Sequence, residues 1–339
     1  MKSLLRPLAW LYGKIANLHR QAYERGWLKT LDVRKPVLSV GNLSMGGTGK
    51  TPFVLQLVGD LLARGLRPAI VTRSYRAKQR VPHELSVEDS KNPRQFGDEA
   101  CLYKIRNPKF RVFTGAQKAR VAFLAAQEKE TQLVVVDDGF QHHRLKKDWN
   151  GVLLDCTRIQ DWKTFPEGTL REDISALKKA DAIFLTRTEL VQPQVVEQVK
   201  GLLPAGIPVF PLETRYLRLR TLEGNEIDRA PEKVGVVCAL GNPQQFEDFV
   251  KKQFPKTMTF PFFFRDHHHY SPAEVGYLER ELTRLQLDYL VTTEKDEAKL
   301  KSWVTKNRNW AVVDIGTEIK DAQAWKIYWD KKLNELVGT

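Results

Sequence analysis

A glycine-rich segment follows the apolar run at residues 36–40 and precedes a helical pattern; it reads Gly41-NLSMGGTGKTP. Its glycines allow backbone N–H groups to turn onto phosphate oxygens at the start of the next helix. In such loops a lysine like Lys50 reaches the β- and γ-phosphates, and a hydroxyl like that of Thr51 binds Mg²⁺. The segment predicts a nucleotide phosphate site, although Ser44 stands where the usual fingerprint has its first glycine. The predicted ligands are Ser44, Met45, Gly46, Gly47, Thr48, Gly49, Lys50 and Thr51.

A second apolar run, at residues 132–136, ends in Asp137-Asp138-Gly139. An acidic strand end downstream of a phosphate loop is the usual place of a carboxylate that organises magnesium. Two adjacent carboxylates repel each other unless a cation or a proton compensates. The alternative is an ordinary Asp-Gly turn, and the phosphate loop favours the functional interpretation.

Two further polar groups lie between the glycine-rich segment and the acidic strand end. Asp98 and Glu99 come directly after Gly97, so Asp98 is either a helix N-cap or a catalytic base. Arg73 and Tyr75 close the second predicted strand within a basic cluster. That cluster either binds an anionic substrate or faces solvent.

Three consecutive histidines, His267, His268 and His269, follow Asp266. Consecutive side chains point in different directions on any regular backbone, so the three cannot together chelate one ion. We expect one of them to enter a site and the others to face water.

The composition excludes several classes of protein. With 339 residues, 42% of them hydrophobic, the chain is too apolar to be disordered and too polar for a polytopic membrane protein. Cys101, Cys156 and Cys238 are scattered singly, which disfavours a disulfide scaffold or zinc knuckle and indicates a reducing cytosol. The net charge of +13 fits an anionic partner: nucleic acid, nucleotide phosphates or an anionic membrane surface.

The first thirty residues carry six basic groups and one acid, Glu24. No run of 18 apolar residues is present, so neither a spanning helix nor a signal peptide is expected. Helical spacing places an apolar stripe on one side, with Lys2, Arg6 and Arg20 on the other. The stripe predicts either an interfacial membrane helix or a helix packed on its own domain, and the segment alone favours neither. The stripe consists of Leu4, Leu8, Leu11, Ile15, Leu18 and Ala22.

From residue 36 onward, apolar runs alternate with helical patterns, which predicts an α/β fold with a mostly parallel sheet. Near residue 213 the pattern changes to polar–apolar alternation with a Gly224-Asn225 turn, typical of an exposed hairpin. A second α/β pattern follows. The predicted parts are an N-terminal helix (1–28), a P-loop domain (29–213), a β-hairpin linker (214–228), a smaller α/β domain (229–316) and a C-terminal helix (317–339).

Taken together, seven segments resemble one family, the tetraacyldisaccharide 4′-kinases of lipid A biosynthesis. They occur in that family's order and span residues 39 to 300. The segments are Ser39-VGNLSMGGTGKTP, Arg73-SY, Gly97-DE, Asp137-DGFQHHR, Pro166-EGTLRE, Asp266-HHHY and Thr292-TEKDEAKL. Two departures are Ser74, where the family often has glycine, and the extra His269.

The resemblance implies transfer of the γ-phosphoryl group of ATP to the 4′-hydroxyl of an acylated glucosamine disaccharide 1-phosphate. It places the reaction on the cytoplasmic face of a Gram-negative inner membrane, with the N-terminal helix as a peripheral, monotopic anchor. ATP and Mg²⁺ are the expected cofactors, and the lipid and an anionic membrane surface are the expected partners.

The family's site residues carry over onto matching positions. Phosphoryl transfer asks the protein mainly to position groups and to neutralise charge. Asp98 is the expected base, with Asp138 beside it, and His267 is expected to reach the nucleotide through domain closure. Thr51, Asp137 and Glu172 are expected metal ligands, direct or through water. The expected substrate contacts are Asn42, Arg73, Tyr75, Glu99, Arg120, Gln141 and Arg171.

Two other classes stay open. A GTPase or ATPase switch protein shares the GGTGKT pattern and would release free phosphate without a substrate. A nucleic-acid binder is suggested by the basic charge alone, but no recognisable reader motif is present. We therefore expect no nucleic acid among the partners.

Overall fold

The computed structural model describes residues 5–74, 77–301, 303–304 and 309–338. The helices are α1 (Arg6–Glu24), α2 (Lys50–Ala63), α3 (Pro93–Phe96), α4 (Asp98–Arg106), α5 (Lys118–Gln127), α6 (Pro193–Gly201), α7 (Pro243–Gln253), α8 (Pro272–Arg284), α9 (Glu294–Lys301) and α10 (Ala322–Val337). The strands are β1 (Val37–Asn42), β2 (Pro68–Arg73), β3 (His83–Glu84), β4 (Arg111–Gly115), β5 (Leu133–Asp137), β6 (Trp149–Asp155), β7 (Ala182–Thr186), β8 (Val209–Thr221), β9 (Lys233–Cys238), β10 (Met258–Phe263), β11 (Tyr289–Thr293) and β12 (Trp310–Ile319).

The chain divides into two compact units. The first comprises Met1–Thr72, Gln117–Thr214 and Thr317–Thr339, and the second comprises Arg73–Ala116 and Arg215–Gly316. The predicted α/β class with mostly parallel strands is confirmed.

The first unit contains a parallel sheet in the order β8–β7–β6–β1–β5–β2. Strands β1 and β5 are buried along their whole length, as expected for inner strands of a parallel sheet covered on both faces. Val40 of β1 is in register with Asp137 of β5. The carboxyl ends of both strands therefore lie at one edge, where ligands bind in sheets of this kind.

Helix α10 completes the core of the first unit. Its Trp329 and Leu333 are buried, and the Trp325 and Trp329 rings stack with centroids 5.2 Å apart. The Trp329 indole N–H donates to Asp60 of α2 at 3.0 Å. The aromatic side of the C-terminal helix thus packs inward.

The second unit contains the parallel strands β10–β9–β11–β12 and the antiparallel pair β3–β4. Helix α4 packs against α9, and this packing places residues 73–116 in the second unit. The grouping by contacts therefore differs from the predicted boundaries, which left this insertion in the P-loop domain.

The first arm of the predicted hairpin at residues 214–228 is the second half of the long strand β8. Leu219 and Arg220 there are buried rather than exposed. The return of the chain is a single antiparallel bridge between Arg220 and Glu226. The guanidinium group of Arg220 can be buried because it pairs with the buried carboxylates of Asp314 and Glu297.

Helix α1 has one packed side and one exposed side. On the packed side, the Tyr12 and Phe165 rings meet edge to face, and Arg20 lies 3.9 Å from Glu172. Arg20, which was predicted on the side opposite the apolar stripe, is buried. The predicted apolar stripe is instead exposed, with 50–60% of each side chain accessible at Leu8, Leu11, Ile15 and Leu18. Leu4 lies outside the described residues.

Across the described residues, no helix combines the length and the apolar character that crossing a bilayer requires.

Candidate active site

The glycine-rich segment forms a loop between β1 and α2, as predicted. Gly49 stands at the N-cap of α2 with a φ of 83°, a left-handed conformation that favours glycine. Among the described residues, the buried Thr48 Oγ1 and Asn42 Oδ1 have no hydrogen-bond partner within the protein. Buried polar atoms without a protein partner are costly, so they mark a place for a polar ligand.

Backbone pairing holds a second segment beside this loop. The Met45 N–H donates to the Thr169 carbonyl at 2.7 Å, and the Arg171 N–H donates to the Leu43 carbonyl at 2.9 Å. Ser44 forms a bridge with Leu170. These contacts place Arg171 next to the phosphate loop.

The turn after β5 brings Asp138 to the same edge. Asp138 has a φ of 50°, which is strained for a residue other than glycine. Gly139 permits the turn, because a Cβ there would lie 2.7 Å from Ser39 Oγ and 2.9 Å from Val136 Cγ1. Close packing of the turn on β1 and β5 therefore fixes the position of Asp138.

Three cations converge on Asp138. Its carboxylate lies 3.4 Å from Lys50 Nζ, 3.7 Å from Lys118 Nζ and 3.1 Å from Arg171 Nη1. Burial alone would raise the pKa of Asp138, but the charges of the three cations outweigh it and hold the pKa well below its usual range. One carboxylate facing three cations leaves positive charge in excess, which suits a phosphate chain.

Gln141 links this cluster to β1. Its Nε2 donates to the Asn42 carbonyl at 2.6 Å, and its Oε1 lies 3.5 Å from Arg171 Nη1. Five of the predicted site residues are thus connected through direct contacts: Asn42, Lys50, Asp138, Gln141 and Arg171.

The three expected metal ligands have different surroundings. Thr51 lies in the first turn of α2, and Asp137 is buried at the end of β5. Glu172 is also buried, but its carboxylate contacts His143 Nε2 at 3.0 Å and Arg20 Nη1 at 3.9 Å. Nowhere in the described part of the chain do three or more His, Cys, Asp or Glu side chains form a group that could hold a metal ion.

A cleft of about 260 Å³ lies between α1 and the phosphate loop. Its walls include Tyr12 and His19 of α1, Met45 of the loop, and Arg171. The packed helix therefore forms one wall of a cleft that reaches the predicted site.

Asp98 lies in the second unit, where it is the first residue of α4. The N-cap position belongs to Gly97, so the N-cap interpretation of Asp98 is wrong. Asp98 Oδ2 instead lies 3.2 Å from His267 Nδ1 and 3.0 Å from Lys299 Nζ. Burial would raise the pKa of Asp98, but the hydrogen bond with His267 and the charge of Lys299 hold the pKa below its usual value. The carboxylate is therefore ionised at neutral pH.

The three histidines do point in different directions. His267 contacts Asp98, whereas His268 Nε2 lies 3.1 Å from Glu274 at the start of α8. His269 lines a cavity of about 550 Å³ in the second unit, which Lys299 also lines, and the partial burial of His269 lowers its pKa. Only the His267 contact involves the predicted base.

Three of the other predicted substrate contacts are at least partly accessible to solvent. Arg73 at the end of β2 and Arg120 on α5 are exposed, and Glu99 on α4 is half-buried. Tyr75 lies outside the described residues.

Sequence reasoning missed four polar residues that contact the predicted site. Lys118 contacts Asp138, and His143 contacts Glu172. Lys295 and Lys299 of α9 contact His267 and Asp98. A signal was present, since His143 lies in the DDGFQHHR segment and both α9 lysines lie in the TTEKDEAKL segment.

A family model described as "Tetraacyldisaccharide-1-P 4'-kinase" matches residues 1–334. The chain belongs to this family. It is 33% identical over 306 residues to the tetraacyldisaccharide 4′-kinase of Bdellovibrio bacteriovorus, covering 89% of this chain and 90% of that protein. It is 32% identical over 353 residues to the tetraacyldisaccharide 4′-kinase of Nitratidesulfovibrio vulgaris, covering 99% of this chain and 96% of that protein. The tetraacyldisaccharide 4′-kinase family and the enzyme class predicted from the sequence are thus confirmed.

A solved structure agrees with this assignment to the tetraacyldisaccharide 4′-kinase family. The crystal structure of LpxK from Aquifex aeolicus in complex with ATP superposes with a TM-score of 0.76 at 26% identity. The match covers 98% of this chain and 99% of that one. The predicted fold is confirmed over both units.

Proposed function

We propose that the chain transfers the γ-phosphoryl group of ATP to the 4′-hydroxyl of an acylated glucosamine disaccharide 1-phosphate. The observation that carries the proposal is the convergence of Lys50, Lys118 and Arg171 on Asp138 beside the phosphate loop. Membership of the 4′-kinase family supplies the acceptor.

The first unit binds the nucleotide in this account. The loop from Ser44 to Thr51 holds the phosphates, and Lys50 places its charge where negative charge develops on the transferred group. Asp138 keeps Lys50 oriented before the nucleotide arrives. The unpartnered Thr48 hydroxyl gains a phosphate oxygen as its acceptor.

Magnesium fits the donors at this edge of the sheet. The Thr51 hydroxyl and the buried Asp137 carboxylate are hard oxygen ligands, and Mg²⁺ in nucleotide sites takes one or two side chains together with phosphate oxygens and water. Glu172, which contacts His143, would act through water. When bound, Mg²⁺ neutralises charge on the phosphate oxygens.

Asp98 accepts the proton of the sugar hydroxyl. His267 and Lys299 both contact Oδ2, so we assign Oδ1 to that hydroxyl. As the sugar oxygen bonds to the γ-phosphorus, its proton passes to the carboxylate. The bond from the γ-phosphorus to its bridging oxygen breaks, and ADP leaves with the electron pair.

The lipid is proposed to reach the site from the membrane surface along α1. The exposed stripe on α1 inserts at the interface of the cytoplasmic leaflet, and the basic groups of the segment face anionic headgroups. The cleft between α1 and Arg171 then receives the disaccharide head. Arg73, Tyr75, Glu99 and Arg120 remain proposed substrate contacts.

The position of the new phosphate tests the proposed function. We expect incubation with ATP, Mg²⁺ and the disaccharide-1-phosphate lipid to yield a lipid with one added phosphate. A ³¹P–¹H correlation spectrum of that product should connect this phosphorus to the proton on carbon 4′. A phosphate attached elsewhere on the lipid would contradict the assignment.

Glutamine in place of both Leu11 and Ile15 should weaken membrane association. Both side chains are exposed, so the double variant should fold while it loses apolar area at the interface. Co-sedimentation with vesicles containing anionic lipid should fall about tenfold or more, because the two residues supply ~3 kcal/mol or more of burial. Glutamine at the exposed Ile327 of α10 is the control. Unchanged sedimentation of the double variant would place the anchor elsewhere.

Alanine at His267 should lower kcat at least tenfold, because Asp98 loses one of its two hydrogen-bond donors and keeps only Lys299. Alanine at His269 should be nearly silent, and ATP affinity should persist in both variants because the phosphate loop is intact. Steady-state kinetics of both variants, with nucleotide binding measured in parallel, test this difference. Small and equal effects on kcat in the two variants would show that His267 belongs to a solvated loop without a role in turnover.

A further inference from the structure

Two lysines of α9 face the Asp98–His267 pair from within the second unit. Lys295 and Lys299 are four residues apart, which places them on one side of the helix. Lys299 Nζ lies 3.0 Å from Asp98 Oδ2 and 3.1 Å from Asp296 Oδ1. Lys295 Nζ lies 3.5 Å from His267 Nε2 and 3.1 Å from Asp266 Oδ1. Helix α9 therefore offers one ammonium group to each member of the pair.

The contact with Lys295 determines which nitrogen of His267 carries the proton. An ammonium group can only donate, so the imidazole nitrogen that faces it must accept. Nε2 then holds the lone pair, and Nδ1 holds the proton that it donates to Asp98 at 3.2 Å. The Asp266 carboxylate lies 3.9 Å from Nε2 and is itself paired with Lys295.

We propose that Lys295 is a positioning residue that holds the imidazole proton of His267 on Nδ1 and thereby aims that proton at Asp98. Lys299 stabilises the same carboxylate from the other side. The kinetic part of this proposal rests on the proposed role of Asp98 as the base, whereas the tautomer does not. The partner of one imidazole nitrogen commonly sets the protonation of the other.

Burial and backbone geometry support a fixed arrangement. The Lys299 side chain is 1% exposed and that of Asp98 is 8% exposed, so neither charge can be left unpaired without a large cost. His267 has a φ of 60°, a strained conformation that persists where the surroundings hold a residue in place. In the described part of the chain, the charged groups that contact the pair or its lysines include Lys295, Lys299, Asp266 and Asp296.

Nitrogen NMR of the full chain tests the tautomer directly. In ¹⁵N-histidine-labelled protein, with His267 assigned from the spectrum of H267Q, Nδ1 should show the shift of a protonated nitrogen and Nε2 that of an unprotonated one. The K295M substitution keeps roughly the side-chain length but removes the charge, and the tautomer population of His267 should move toward Nε2–H. K295R retains a donor and should resemble the wild type. K301M is the matched control, because Lys301 lies on the same helix but pairs with Glu297 at 2.8 Å.

Kinetics provide the second readout. K295M should lower kcat about tenfold, with KM for ATP changed less than twofold, whereas K295R should recover most of the loss and K301M should be unaffected. A wild-type spectrum with the proton on Nε2, or a K295M spectrum identical to the wild type, would overturn the positioning role. If the proton of His267 moves toward Nε2 in K295M but kcat does not fall, the assignment of the tautomer to Lys295 stands. The role of Asp98 as the base is then overturned. If circular dichroism shows that K295M does not fold, K295R and K295Q replace it in the test. We then expect the wild-type tautomer in K295R and its loss in K295Q.

Discussion

Replacing Lys50 by alanine is expected to lower kcat by about 10²–10³-fold, the usual effect of removing one preorganised electrostatic contact to the transition state. Lys50 begins α2 and lies 3.4 Å from Asp138, so its ammonium group is already held at the phosphate loop. Thr51→Ala should be similarly severe, and it should also raise the Mg²⁺ concentration needed for half-maximal rate. Both effects are measured as steady-state rates at saturating ATP.

A surface lysine provides the control for this prediction. Lys146 is 55% exposed and pairs with Asp32, and alanine there should leave kcat within about twofold of the wild type. Near-normal turnover of Lys50→Ala or Thr51→Ala, at saturating ATP and Mg²⁺, would end the assignment of this loop as the phosphate site.

Asp98→Asn is expected to reduce kcat by about 10²–10⁴-fold, with little change in KM for ATP. Asparagine keeps the shape and a carbonyl acceptor for Lys299, but it cannot take up a proton at pH 7. The pH-rate profile of the wild type adds a second check. Since the pKa of Asp98 is lowered, the carboxylate stays ionised down to acidic pH, and its protonation should not limit the rate near neutrality.

Two controls keep this result interpretable. Glu88→Gln removes an exposed carboxylate that pairs with Lys91 and should be silent. Thermal unfolding shows whether Asp98→Asn still folds, because the substitution weakens a buried ion pair. A folded Asp98→Asn variant with unchanged kcat, in an assay limited by the chemical step, would leave Asp98 with only a structural role.

Local patterns in the sequence predict most of the elements that carry the site. Apolar runs bounded by turns predict the strands of both units, and glycine spacing predicts the phosphate loop, because both depend on residues close in sequence. The acidic turn after β5 is predictable for the same reason. The contact of Lys118 with that turn is not, since Lys118 approaches Asp138 only once α5 has packed on the sheet.

Long-range ion pairs account for what the sequence leaves out. Asp98 and Lys299 are far apart in the chain, and only tertiary packing shows that α4 belongs with α9. The alternation in residues 214–221 predicts a strand, but it does not show that Arg220 is buried against Asp314. Helical periodicity likewise finds the stripe on α1 without showing that Arg20 packs inward against Glu172.

The most direct test of the central claim is a single balance of products from one reaction with ATP, Mg²⁺ and the disaccharide-1-phosphate lipid. ADP, free phosphate and phosphorylated lipid are measured together over time. We expect one phosphorylated lipid for each ADP formed, with little free phosphate and little turnover when the lipid is left out. Equal release of ADP and free phosphate at the same rate with or without lipid, and no phosphorylated lipid, would contradict it and identify a nucleotide hydrolase instead.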